Sequence, residues 1–165
     1  MSKVLFTEKQ KFRQIWLIIL LIGITGVMVW GFIQQIFLGI PFGNNPAPNW
    51  MMYLLVLLPL GIFGFFFSLT LHTRVDKNGI SFRFFPIHRK DRFIKWESVR
   101  QVYVRKYKPI AEYGGWGFRR GKSGFAYNTA GNLGLQILLV DGKKILIGTR
   151  KPDELKMSLK KLGKS

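Results

Sequence analysis

Residues 14–73 form a run of 60 positions without a single Asp, Glu, Lys or Arg. A 165-residue chain has too small an interior to hide so long an uncharged stretch. Two parts of it, residues 15–33 and 50–71, are each long enough to cross a hydrocarbon core of about 30 Å at about 1.5 Å per helical residue. The run therefore predicts a transmembrane helical hairpin over 15–71, with spans at about 15–36 and 50–71 and a short connector at 37–49. Lys3, Lys9, Lys11 and Arg13 precede the first span, as in a signal peptide. Its far end reads "VWGFIQQIFLG", without a small-residue cleavage site, so an uncleaved span is expected.

The cations set the orientation. Residues 1–13 carry four Lys or Arg, the chain beyond Leu71 carries the other 22, and the connector carries none. Basic flanks stay cytoplasmic, so residues 1–14 are expected as a basic cytoplasmic N-terminus, the C-terminal part as cytoplasmic, and the connector on the far side. Trp16, Trp30, Trp50 and Tyr53 lie near the span ends, where amphipathic rings favour the interface. Gly23, Gly26 and Gly31 in the first span and Gly61 and Gly64 in the second permit close helix approach, within the hairpin or in a homo-oligomer through the spans. Neither span interior holds an ionisable group, which argues against a pump or transporter and for an anchor. His72 falls at the cytoplasmic end of the second span.

From residue 69 the apolar period changes from helical to about two. "LTLHTRV", "ISFRFFPI", "RFIKW", "VRQVYVRKY", "FAYNT", "LGLQILLV" and "KILIGT" read as seven antiparallel strands, with "DKNG" and "DGK" as hairpin turns. "KPDELKMSLKKLGKS" reads as a helix: Pro152 at its start, Asp153 and Glu154 in its first turn, lysines towards its end, and Leu155, Leu159 and Leu162 on one face. The expected class is an α+β membrane protein in which the helical hairpin precedes a mainly-β domain over 69–165. That domain would be a small barrel or a pair of orthogonal sheets, closed by an amphipathic C-terminal helix.

Seven strands with a closing helix, the "GISFRFFP" hairpin and "IKWESVRQVYVRKY" together resemble bacterial pleckstrin-homology-like domains. "EYGGWGFR", "AYNTAGNLGLQ" and "GKKILIGTRKPDEL" are similar to small two-span Bacteroidota membrane proteins that carry such a domain. The resemblance covers roughly residues 69–162 and implies a barrel fold and residence in the bacterial inner membrane. It implies no activity. The long basic loop that binds phosphoinositides in eukaryotic relatives has no counterpart, because the first connection here is only "DKNG".

The stretch "GGWGFRRGKSG", residues 114–124, invites a phosphate-site reading. A P-loop needs glycine five positions before Gly121, where Trp116 stands, and it needs a strand-to-helix context that this stretch lacks. What remains is a candidate membrane or partner contact formed by Trp116, Phe118, Arg119, Arg120 and Lys122, if these side chains face outward. The alternatives are a solvated connection with Trp116 packed back on the domain, or a protein-binding loop.

Residues 72–165 carry 22 Lys or Arg against seven Asp or Glu, an excess of +15. Membrane phosphates, acidic proteins or nucleic acid would each match it. The tether favours the membrane, and nucleic acid is not expected. No catalytic residue, cofactor or metal site is expected, because the chain lacks cysteine, His72 and His88 are separated by a hairpin, and most carboxylates sit at turns or at the helix start. The functional expectation is a protein-interaction or scaffold module at the membrane, with anionic-lipid headgroup binding as the alternative.

Overall fold

The computed structural model describes residues 4–121 and 123–164. They form two units: residues 4–12 together with 68–164, and Arg13–Phe67.

The second unit is helical. Helix α1 (Ile15–Phe32) continues through a wider π-helical turn at Ile33–Phe37, and α2 spans Asn49–Ser68 with Pro59 inside it. Both are long and apolar enough to cross a membrane, and only 11% of each apolar window is buried. Gln35 organises the connector: its Nε2 donates to Ala47 O at 2.6 Å and Asn49 Oδ1 at 2.9 Å, and its Oε1 accepts from Phe42 N. The Phe42 ring fills the space a side chain on Gly31 would need. Phe32 meets Tyr53 edge-on at 5.0 Å. Gly31 therefore serves close approach, whereas a Cβ on Gly23, Gly26, Gly61 or Gly64 would touch nothing within 4 Å.

The first unit is built of two sheets. One has the order β1-β2-β3-β4, from β1 (Val4–Lys11), β2 (Thr70–Asp76), β3 (Gly79–Phe85) and β4 (Arg92–Lys95). The other has the order β5-β8-β9-β7-β6, from β5 (Val99–Lys106), β6 (Gly117–Gly121), β7 (Gly124–Asn128), β8 (Leu133–Leu139) and β9 (Lys144–Gly148). All pairings are antiparallel except β7 with β9. Of the two expected forms, a small barrel or a pair of sheets, the described residues form two sheets and no closed barrel, with nine strands where about seven were expected.

Both added strands have a physical reason for being missed. β1 turns Phe6, Glu8 and Gln10 inward, and two polar residues in three hide the alternation that normally announces a strand. Glu8 and Gln10 earn burial by bonding across to the other sheet: Thr149 Oγ1 and Arg150 N donate to the Glu8 carboxylate at 2.7 and 2.8 Å, and Gln10 Nε2 donates to Gly148 O at 2.7 Å. Residues 4–11 are therefore a sheet strand, not a separate basic tail. The second addition, β6, is glycine or arginine at four of its five positions and gains its order from pairing with β7.

Leu71, Val75, Ile80, Phe82 and Phe84 from the first sheet and Leu135, Ile137 and Ile147 from the second are buried, and the Phe82 and Tyr127 rings meet at 4.8 Å. Helix α4 (Pro152–Lys161), which follows the short helix α3 (Pro109–Tyr113), buries Leu155 and Leu159 and packs on β1 and β5, one edge strand of each sheet. Ser158 Oγ donates to Leu5 O at 3.1 Å. The turn before β3 also differs in detail. Gly79 has no positive φ; a Cβ there would collide with Ile94 O, and Asp76 Oδ1 caps the turn through Asn78 N and Gly79 N.

Candidate interaction site beside helix α3

Between β5 and β6 the chain makes α3, which the strand pattern does not reveal. Pro109 starts it, and Gly114 ends it at φ 71°, a left-handed cap that glycine adopts without steric cost. Tyr107 and Tyr113 bury themselves with Ala126 and Leu146, making a small second core beneath α3. Burial pushes the Tyr107 hydroxyl up to about 12, against the opposing hydrogen bond it accepts from Asn128 Nδ2 at 2.9 Å. Asn128 also accepts from Gly117 N at 2.8 Å, so one fully buried amide fixes both the start of α3 and the start of β6.

Glu112, unassigned by sequence reasoning, belongs to this scaffold. Arg105 clamps it through two bonds of 3.2 and 2.6 Å, and Lys108 N donates to it at 2.7 Å. The bond from Arg105 is the main reason its carboxyl lies below the usual range. Tyr113 is raised chiefly by burial. A paired, half-buried carboxylate of this kind orders a loop and has no reason to bind a proton near neutral pH.

The sequence-singled residues 116–120 are placed as follows. Trp116 Nε1 donates to Gly131 O at 2.8 Å, and Arg119 Nε donates to Trp116 O at 3.1 Å. Phe118 stacks on Tyr127 at 5.0 Å and on Phe125 at 6.2 Å, and meets His88 edge-on at 5.3 Å. The Arg120 guanidinium lies 5.5 Å from the centre of the Phe125 ring. Strand alternation separates Phe118 and Arg120 from Arg119, so these side chains do not share one face. Lys122 lies outside the described residues. Trp116 and Phe118 are each partly buried by these contacts, and the two arginines are exposed.

The packing leaves a groove of about 630 Å³ along α3, bounded by Tyr107, Ile110, Ala111 and Trp116 with Lys106 and Lys108 at its rim. Ile110 is 70% exposed. Glu112 also lines the groove, and because Arg105 holds its carboxylate, Lys106 and Lys108 leave the lining with a net positive charge beside its apolar walls. Among the described residues no three His, Cys, Asp or Glu groups converge as metal ligands. Compared with models of known protein families and with curated proteins, the chain matches none.

Proposed function

We propose that this chain is a membrane-anchored interaction module, in which the α3 groove receives an acidic segment of a partner protein bearing one large apolar side chain. The observation that carries the reading is the groove itself, whose lining combines an exposed Ile110, a Trp116 indole held by Gly131 O, and Lys106 and Lys108. Apolar walls supply affinity and the cationic rim selects acidic neighbours.

The anchor is the helical hairpin, spanning the bacterial inner membrane with both flanks cytoplasmic. Its support is the uncovered apolar surface of α1 and α2, which a core helix of a soluble protein would bury. Kinship with bacterial pleckstrin-homology-like domains is favoured by two antiparallel-rich sheets joined across their edges by a C-terminal helix. The parallel β7–β9 pair and the unclosed barrel are departures from that pattern.

Gentle solubilisation of native membranes and affinity purification of the full chain should recover a stoichiometric partner with an acidic, apolar segment. Ile110→Asp/Lys108→Glu should lose it while the thermal transition of the protein is unchanged, since Ile110 and Lys108 are exposed. Retention of the same partner by this variant, or no partner at all from either protein, would refute the reading.

A further inference from the structure

The outer face of the β1–β4 sheet is cationic in an ordered way. Register places Lys9 beside His72 and His72 beside Arg83, forming a row across three strands. The row above pairs Thr7, Arg74 and Ser81, and the row below starts Lys11, Thr70. Between the first two rows lies a polar depression of about 190 Å³ lined by Thr7, His72, Arg74, Ser81, Arg83 and Asp91. The side chains of Thr7, Ser81, His72, Arg74 and Arg83 contribute two outer-face hydroxyls, an imidazole and two guanidinium groups; Asp91 Oδ1 stands 3.4 Å from Arg83 Nε, and Asp76 Oδ2 3.6 Å from Arg74 Nη2. That buried Nε makes no hydrogen bond among the described residues.

Chain length bounds how far this face can be from the hairpin. Three residues separate Lys11 from Ile15, and one separates Ser68 from Thr70. At about 3.3–3.6 Å per extended residue, the Lys9 row is at most about 20 Å of chain from the start of α1. Two adjacent strands, β1 and β2, are each joined directly to the hairpin.

From these observations we infer that the outer face of the β1–β4 sheet docks on the phosphates of anionic lipid headgroups, with Lys9, Lys11, Arg74 and Arg83 as its cations. The inference rests on the membrane-spanning reading of the hairpin and is independent of the α3 groove. It also moves the lipid-facing role away from Arg119 and Arg120. Each cation near an anionic leaflet strengthens docking by about fivefold, the factor equivalent to about 1 kcal/mol. His72 carries a second signature. Partial burial, then Arg83 and then Lys9, hold its imidazole below its ordinary value, with Asp91 pulling the other way and Arg74 on the same strand. Lipid phosphate over the row should raise it.

The test uses the full chain reconstituted in phosphatidylcholine vesicles, with and without a quarter phosphatidylglycerol, and flotation to establish insertion. A water-soluble lysine reagent should label Lys9 and Lys11 several-fold more slowly in the anionic vesicles, while exposed Lys144, Lys151 and Lys156 serve as internal references. The protection should vanish at about 1 M salt, where the screening length is about 3 Å. It should vanish also in Arg74→Gln/Arg83→Gln, and persist in Arg119→Glu/Arg120→Glu. The His72 imidazole should titrate at higher pH in the anionic vesicles.

Equal labelling of Lys9 and Lys11 in floated vesicles of both compositions overturns the docking alone. Failure to float overturns the hairpin reading and the inference with it. Equal protection by inorganic phosphate over neutral vesicles would assign the face to a free anion and likewise overturn it. Should the double glutamine variant unfold, loss of its cooperative melt will report it, and the salt arm on the native chain still decides.

Discussion

Glu8 shows how a single acidic side chain can determine where an N-terminal segment goes. It is 6% exposed, yet its two oxygens are satisfied by Thr149 Oγ1 and Arg150 N. Beside it, Gln10 links Gly148 O to Thr129 Oγ1, so two neighbouring inward positions of β1 reach partners about 120 to 140 residues away. Replacing Glu8 by Ala removes the acceptor for a buried hydroxyl and a backbone N–H. The expected loss is about 2–4 kcal/mol, the cost of two orphaned donors. A thermal or denaturant melt of the protein in detergent should register it, and Glu8→Gln should recover part of the loss. An unchanged melt for Glu8→Ala would show that β1 is held without the Glu8 bonds. None of this was legible beforehand, because Glu8 and Gln10 make the segment look solvated and their partners lie in the last quarter of the chain. Trp116 was legible only as a choice between outward and packed-back positions. Its bond to the carbonyl of Gly131 is a tertiary contact that no local pattern announces.

At the scale of elements, strands with strict alternation and strong turns were readable. β2 to β5 and β7 to β9 lie within a residue or two of their sequence-based positions, and α4 starts at Pro152 with Leu155 and Leu159 inward as the spacing requires. The elements that escaped are those stabilised mainly by tertiary partners. β1 has a polar inward face, α3 is a single turn over a tyrosine pair, and β6 depends on β7 for its order. The omission of β1 matters for any fragment. A piece starting near His72 would discard β1 and most of its hydrogen-bonded ladder, and expose the edge of β2. Such a fragment should aggregate or give no cooperative transition. By contrast, Phe12 N donates to Leu69 O at 3.0 Å, so the two strand ends are adjacent once the intervening helices are ignored. Residues 1–12 joined through a short Asn-Gly turn to 69–165 should therefore yield a soluble domain with cooperative melting and dispersed amide resonances. If the fragment lacking β1 folds as well as the joined chain, β1 is dispensable.

For the whole molecule, the proposed arrangement places residues 4–12 and 68–164 on one side of a bilayer and the connector on the other. The natural chain has no cysteine, which makes single reporters unambiguous. Asn45→Cys in the connector should react with an impermeant maleimide added outside intact cells. Lys90→Cys, in the turn before β4, should react only after permeabilisation. The reverse pattern, or equal labelling, would overturn the two-span arrangement. The charge-free run made the two apolar helices legible from the outset, because the bilayer's demand for uncharged length is local in sequence. The joining of both ends of that run into one sheet was invisible, since it depends on a pairing between Lys11 and Thr70 across 58 intervening residues. That pairing has a consequence during synthesis. β1 leaves the ribosome before β2, and the two cannot pair until both helices have been made and the chain has returned. If only one helix threads the bilayer, β1 and β2 are stranded in different compartments and the sheet never closes. Completion of the β domain would thus act as a proofreading step for membrane topology, leaving misthreaded chains with an open strand edge for proteases to find.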